Sequence, residues 1–241
     1  MENERLIKSN SRVKTHGEVF TPRRIVKLML DQPELEESLH SLQATFLEPA
    51  AGEGAFLTEI LSRKLKLANS ISNSIKDFEQ NSLIVLTSLY GIELLVDNTE
   101  LLVMHMYQVF YREYLRQLSK YNARENNKVI KSALTIVKAN LVQGDALTGK
   151  NKNGDDIIFS QWTLLPVKRG IRKVQRTEYT LDAIKTDGPS IDGKIQGHGI
   201  EEISLFESDN PVVEDTMYKY MPVPLVNVYQ ELKMPITDSG I

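Results

Sequence analysis

"FLEPAAGEGAFLTEIL", residues 46–61, closes a short apolar segment on Glu-Pro, sets glycines at 52 and 54 with glutamates before and between them, and then runs on amphipathically. A brief apolar run bounded by a turn reads as a buried strand, here over "ATFLE", 44–48. Phe56, Leu57, Ile60, Leu61 and Leu65 fall on one stripe of a helix that starts near Ala55. Strand, glycine turn and helix form the repeating unit of an α/β domain. In open α/β sheets, ligands bind beyond the carboxyl ends of the strands, where glycine lets them approach the backbone.

The same unit recurs downstream. "DFEQNSLIVLTSLYGIEL", 77–94, predicts a helix running into a second strand over 89–93, and Asp97 with Glu100 predicts a capping box for a long helix ending near Tyr121. "NKVIKSALTIVKAN", 127–140, predicts another helix. "NLVQGDAL", 140–147, predicts a third strand, and "DDIIFSQW", 155–162, a fourth. This alternation predicts a three-layer α/β sandwich, with helices on both faces of a mainly parallel sheet. Upstream, Thr21-Pro22 offers a helix start with Ile25, Val26, Leu28, Met29 and Leu30 on its apolar face, and Pro33 ends or bends that helix. Met104, His105 and Met106 read as core. Residues 1–19 read as a polar, mobile arm and residues 20–165 as the main domain. Residues 166–241 read as a basic hairpin, a Gly/Pro/Asp/Ser-rich linker over "TDGPSIDGKIQGHG", 186–199, and an irregular tail.

Composition narrows the function classes. With 241 residues and 41% hydrophobic content the chain can build one substantial core. A net charge of −3 means that affinity for nucleic acid must come from local patches, and "PVKRGIRKVQR" supplies Lys168, Arg169, Arg172, Lys173 and Arg176. The first four are the candidates for phosphate contact. The absence of cysteine excludes disulfides, thiolate metal sites and cysteine nucleophiles. The N-terminal stretch lacks the apolar segment of a signal peptide, and no run approaches the ~20 apolar residues of a membrane span. A cytoplasmic protein without membrane partners is the expectation, with no metal site.

Each of the three predicted strand ends closes on an acid: Glu48, Glu93 and Asp145. A phosphate ligand would call for a loop of amides with a lysine, as in GxxxxGK followed by Ser or Thr, and the chain has none. Carboxylates at strand ends instead suit a ligand with positive charge, hydroxyls and an amino group. S-adenosyl-L-methionine carries a sulfonium, an ammonium, a ribose and an adenine amine.

"GEVFTPRRIVKLMLD" (17–31), "FLEPAAGEGAFLTEIL" (46–61), "YGIELLVDN" (90–98) and "LVQGDAL" (141–147) together resemble, in order and approximate spacing, the N-terminal half of N6-adenine DNA methyltransferases of bacterial restriction-modification systems. The likeness runs from residue 17 to about 160. It implies the Rossmann-like methyltransferase fold and the following roles. Phe20, Thr21 and Pro22 would close over the methionine moiety, and Glu48 would face its ammonium. Ala50, Gly52 and Gly54 would shape the loop above Phe56. Glu93 would take the ribose hydroxyls and Asp145 the adenine amine, with Ala146 and Leu147 beside the ring. Ala51 and Glu53 stand where the family often has cysteine and serine.

The family also follows its fourth strand with an Asn/Asp-Pro-Pro-aromatic turn that grips the target amine and stacks on a flipped base. Here "DDIIFSQWTLLP", 155–166, has no such turn. Gln161 and Trp162 are the candidates for acceptor and stacking surface, against the alternative of a hairpin with Trp162 buried. Asn210-Pro211 reads as a turn. The resemblance implies methyl transfer to adenine N6 in DNA, with a larger restriction-modification or specificity subunit as a possible partner. Two alternatives are a cofactor-binding regulatory partner without its own catalysis, and a methyltransferase acting on RNA, protein or a small molecule.

Overall fold

The computed structural model describes residues 8–16, 18–169, 171–191 and 218–236. Residues 1–7, the Asn210-Pro211 turn and most of the 186–199 linker lie outside the described residues. In chain order the elements are α1 (Asn10–His16), α2 (Arg23–Leu30), α3 (Pro33–Leu39), β1 (Phe46–Glu48), α4 (Ala55–Ser70), α5 (Ile75–Thr87), β2 (Leu89–Glu93), α6 (Val96–Lys120), α7 (Asn127–Asn140) and β3 (Leu141–Gln143). They continue with β4 (Ile158–Leu164), β5 (Lys173–Thr180), α8 (Leu181–Lys185), β6 (Tyr218–Tyr220), β7 (Val223–Pro224), a 3-10 helix (Leu225–Gln230) and β8 (Lys233–Pro235). No helix among the described residues is long and apolar enough to cross a membrane.

The strands β1, β2 and β3 form a parallel sheet in that order, with Phe46 opposite Leu89 and Gly91 opposite Leu141. Helices α4 and α5 make the first crossover, and α6 and α7 the second. Side chains of β2 alternate between the two faces, as strand geometry requires. Leu89 joins the main core with Leu57, Leu61, Phe78, Val85, Leu102, Phe110, Val129 and Ile136 from α4 to α7. Gly91 faces the same side: a Cβ there would lie 2.8 Å from Leu57 Cδ1, so the glycine lets α4 settle on the sheet. Burying each large apolar side chain of this set contributes about 1.5–3 kcal/mol.

The second face differs from the three-layer expectation. Tyr90 and Ile92 point to a smaller cluster built from Ile157, Phe159 and Leu181, with Val142 and Ala146 packed against it. The cover there is an antiparallel sheet, β4–β5–β7, with the short α8. The fourth strand, expected to extend the parallel sheet, therefore belongs to another sheet. The cause lies in residues 144–157. A parallel return needs a crossover of about a dozen residues, usually a helix, and this segment is spent on turns instead. Gly149 N–H donates to the Asp145 carbonyl, Asn151 N–H to Asp155, and Ile157 N–H to Gly149, each at 2.8 Å.

Among the described residues the arm contains α1, β5 completes the expected basic hairpin, and the stretch expected as an irregular tail supplies β6 to β8 and the 3-10 helix, whose Leu225 and Val228 enter the main core. Ser132 Oγ donates to the Val226 carbonyl at 2.8 Å, fixing that helix on α7. Pro33 opens α3 as its first residue. Two predicted caps do not form: Pro22 rather than Thr21 precedes α2 without a side-chain cap, and α6 starts at Val96, so Asp97 and Glu100 make no box.

Candidate ligand-binding crevice

The carboxyl ends of the three parallel strands come together as a staircase. Glu48 is level with Gly91, and Glu93 with Gln143, so each successive acid stands one strand over and two residues higher. With strands ~4.8 Å apart and a rise of ~3.3 Å per residue, neighbouring acids are roughly 8 Å apart along the rim. By this register Glu48, Glu93 and Asp145 stand in an oblique row.

The glycine loop rests on this rim. Ala51 N–H donates to the Ile92 carbonyl at 2.9 Å, and Gly52 N–H to Glu93 Oε2 at 2.8 Å. Gly52 and Gly54 both have positive φ, at 53° and 92°. Gly54 opens α4 from the left-handed region, and Thr58 Oγ1 donates to its carbonyl at 2.7 Å. His105 Nδ1, read earlier as core, lies 2.8 Å from the Glu53 carbonyl and ties the loop to α6. A Cβ on Gly52 would meet nothing within 4 Å, so the loop presents bare backbone to open space there.

Glu93 is buried, at 7% exposure. Its Oε1 accepts from Leu95 N–H at 3.0 Å and Asn98 Nδ2 at 3.2 Å, and its Oε2 from Gly52 N–H. A carboxylate has about four acceptor positions. Three are used to brace the loop against β2 and α6, leaving one for a ligand hydroxyl. Asp145 is half-buried; its Oδ1 accepts from Leu147 N–H at 2.8 Å in a side-chain turn. Ala146 packs against the small cluster, whereas Leu147 is 92% exposed. Glu48 Oε1 accepts weakly from Ala50 N–H at 3.3 Å. Phe56 packs against the main core. Thr21 and Pro22 are half-buried, and Phe20 lies under the Lys8 ammonium, 6.0 Å from its ring centre.

The sequence reading missed the strap that crosses this rim. Arg12 forks onto Asp97, with Nη1 2.8 Å from Oδ2 and Nη2 3.1 Å from Oδ1, and also pairs with Glu18. Lys8 pairs with Glu53 at 2.8 Å and Asp97 at 3.2 Å. Buried Asn98 donates to Glu18 Oε1 at 2.6 Å. The Arg12 bonds push the Asp97 carboxyl down to about 2. Burial alone would raise the Glu18 carboxyl, but Arg12 and Asn98 hold it below the ordinary range. Burial likewise would lower the Lys8 ammonium, yet Glu53 and Asp97 hold it above its usual value. The only signal for this strap in sequence was the basic character of an arm facing an acid-rich motif.

The candidate acceptor residues lie elsewhere. β4 descends the second face from Ile157, near Gly144, and Trp162 Nε1 donates to Asn140 Oδ1 at 2.8 Å, just before β3 begins. Asn140 Nδ2 in turn donates to the Leu86 carbonyl, just before β2. Trp162 is therefore buried at the amino ends of the strands, and Gln161 sits beside it. At ~3.3 Å per residue the crevice is roughly 15 Å or more away. The structure thus contains the buried hairpin tryptophan of the alternative reading, with Gln161 and Trp162 away from the carboxyl ends of the parallel strands. Lys168 and Arg169 form the exposed turn of the β4–β5 hairpin, with Arg172 and Lys173 following. Arg176 is not part of that exposed run. It bonds Ser160, Glu178 and Glu231 and stacks on Tyr220.

No group of three or more metal-ligating side chains occurs among the described residues. Comparison with protein-family models, with curated proteins and with solved structures finds no match.

Proposed function

We propose that this chain binds S-adenosyl-L-methionine at the carboxyl ends of β1 to β3 and serves as the cofactor-holding part of a methyltransferase that acts on DNA. The observation that carries the reading is the bond from Gly52 N–H to Glu93 Oε2. It joins the glycine loop to the acid of the next strand and builds a cradle of bare backbone beside a carboxylate with one acceptor position unused. The oblique row of acids suits an elongated ligand: an ammonium at Glu48, a ribose hydroxyl at Glu93 and an amino group at Asp145. When bound, the cofactor supplies an electrophilic methyl group. The residues of this chain orient it and offset its positive charge.

A second observation favours the incomplete-partner form of this reading. Gln161 and Trp162 lie at the opposite end of the sheet, so neither can hold an acceptor amine at the crevice. Methyl transfer demands an acceptor held within about 3–3.5 Å of the methyl. The groups that do so would come from a second polypeptide, and the exposed Lys168, Arg169 and Lys173 with the half-buried Arg172 would add sequence-independent phosphate contacts.

Titration of the chain with S-adenosyl-L-methionine tests this directly. One-site binding is expected, with Glu93→Ala weakening it at least tenfold by removing the brace and the hydroxyl acceptor together. Labelled methyl transfer to DNA is expected only when the products of adjacent open reading frames are added. A wild-type chain that binds no cofactor would overturn the proposal.

A further inference from the structure

Residues 8–16 are held to the crevice chiefly by charge. The seven-residue α1 is well short of the ~12–15 residues that sustain a helix alone in water. None of the side chains of this segment joins either hydrophobic cluster among the described residues. Ser9 starts the turn, accepting from Arg12 N–H through Oγ at 3.2 Å and from Val13 N–H through its carbonyl at 3.3 Å. What fixes the segment in place is the rim: Lys8 bridges Glu53 of the glycine loop and Asp97 of α6, and Arg12 joins Asp97 to Glu18.

Buried Asn98 is the junction between this arm and the crevice. Its Oδ1 accepts from Lys8 Nζ at 2.5 Å and from Arg12 Nη2 at 3.3 Å, while its Nδ2 donates to Glu18 Oε1 at 2.6 Å and to Glu93 Oε1 at 3.2 Å. One amide thus connects both arm cations to the carboxylate that keeps an acceptor position unused. This chain of bonds places the Lys8 ammonium within about 8 Å of Glu93 Oε1. A positive charge brought to Glu93 therefore meets Lys8 and Arg12 as like charges at a range where repulsion is felt even in a partly wet site.

We propose that residues 8–16 form a self-inhibiting latch: the cations of the arm hold the acids of the crevice, so that docking of the arm and binding of a cationic ligand oppose one another. Linkage makes the opposition reciprocal, since a bound cation loosens the arm and a released arm tightens the cation. A ligand of the same shape without the charge escapes it. The inference rests on the function proposed above for its probe, S-adenosyl-L-methionine, whose sulfonium gives it one positive charge more than S-adenosyl-L-homocysteine.

The test titrates both compounds at low salt into the full wild-type chain and into the Lys8→Gln, Arg12→Gln double variant. The ratio of the two affinities should shift about three- to tenfold in favour of S-adenosyl-L-methionine in the double variant. Lys8→Arg with Arg12→Lys, which keeps both charges, should leave the ratio as in the wild type. The chain has no cysteine, so a nitroxide on Ser11→Cys, at an exposed position, reports the arm alone. The label should be immobile in the free chain and gain mobility at saturating S-adenosyl-L-methionine, more than with S-adenosyl-L-homocysteine. An unchanged ratio with the label still held overturns the latch while leaving cofactor binding intact. Equal weakening of both compounds in the double variant would make the arm a brace for Glu93, and overturns it too. Failure of the functional reading has a different pattern: neither compound binds either chain, and the latch then falls with it.

Discussion

Gly54→Ala and Gly52→Ala should part stability from ligand binding. Gly54 has φ 92° and ψ 30°, outside the narrow left-handed well near φ 50–70°. Among the described residues, the non-glycine residues with positive φ, Asn122, Arg169, Asp187 and Glu231, all lie between 45° and 51°. Backbone strain at Gly54 therefore costs about 1–3 kcal/mol. The new methyl would also stand 2.5 Å from Leu102 Cδ1, in a fully buried leucine, and overpacking of that kind costs about 1–3 kcal/mol more. Together the loss is about 2–6 kcal/mol, a large share of the ~5–15 kcal/mol that folds a domain, and it corresponds to a melting shift of roughly 4–24 °C. Gly52 has φ 53° and open space around its Cβ position, so its alanine variant should lose only about 1 kcal/mol. The methyl on Gly52 instead enters the crevice and should weaken S-adenosyl-L-methionine at least tenfold. Equilibrium denaturant unfolding and calorimetric titration of both variants measure the pair. A Gly54→Ala chain within 0.5 kcal/mol of wild type would refute the packing argument, and a Gly52→Ala chain that binds normally would refute the cradle.

Lys64 is buried, donates to Ala44 O at 2.6 Å and to Ser88 Oγ at 2.8 Å, and burial pushes its ammonium down to about 8. Between pH 8 and 10.5 the unfolded chain holds a proton that the folded chain has released. Stability from this group therefore rises with pH across that window, by up to about 3 kcal/mol; unfolding of wild type against Lys64→Met should show the difference moving in favour of wild type, and a flat difference would contradict it. Trp162→Phe takes away the indole N–H that donates to the buried Asn140 Oδ1 and should cost about 1–3 kcal/mol in denaturant unfolding without altering cofactor affinity. Loss of methyl transfer at unchanged stability would return Trp162 to the reaction.

What could be read from the sequence was whatever is encoded locally. The α5–β2 junction and the span of α7 followed from apolar periodicity, and the glycine loop from its turn residues. Contacts between distant segments were not legible in that way. The Gly52–Glu93 bond spans 41 residues and the Arg12–Asp97 fork 85, and no local pattern specifies either. β4 illustrates the limit most clearly. Its apolar character announced a strand, but strand propensity is blind to partner and direction, and only the turn-rich 144–157 segment, with Asn153-Gly154 at its tip, carried the information that the chain reverses. The 3-10 helix and the two- and three-residue strands near the C-terminus are too short to show any period.

The strap bears on whether the crevice is closed to a ligand. Glu18, Glu53, Glu93 and Asp97 meet Lys8 and Arg12 there, which leaves the formal balance at −2 before Glu48 and Asp145 are considered. Two cations of the chain thus engage the rim without neutralising it. A phosphate-bearing ligand would add like charge to this excess, whereas a sulfonium with an ammonium would reduce it. Exposed pairs such as Arg12–Asp97, with Asp97 about half exposed, each contribute little to stability, so the strap can yield to a ligand at small cost. Its cations answer an acidic rim, and an acidic rim favours a cationic ligand over a phosphate.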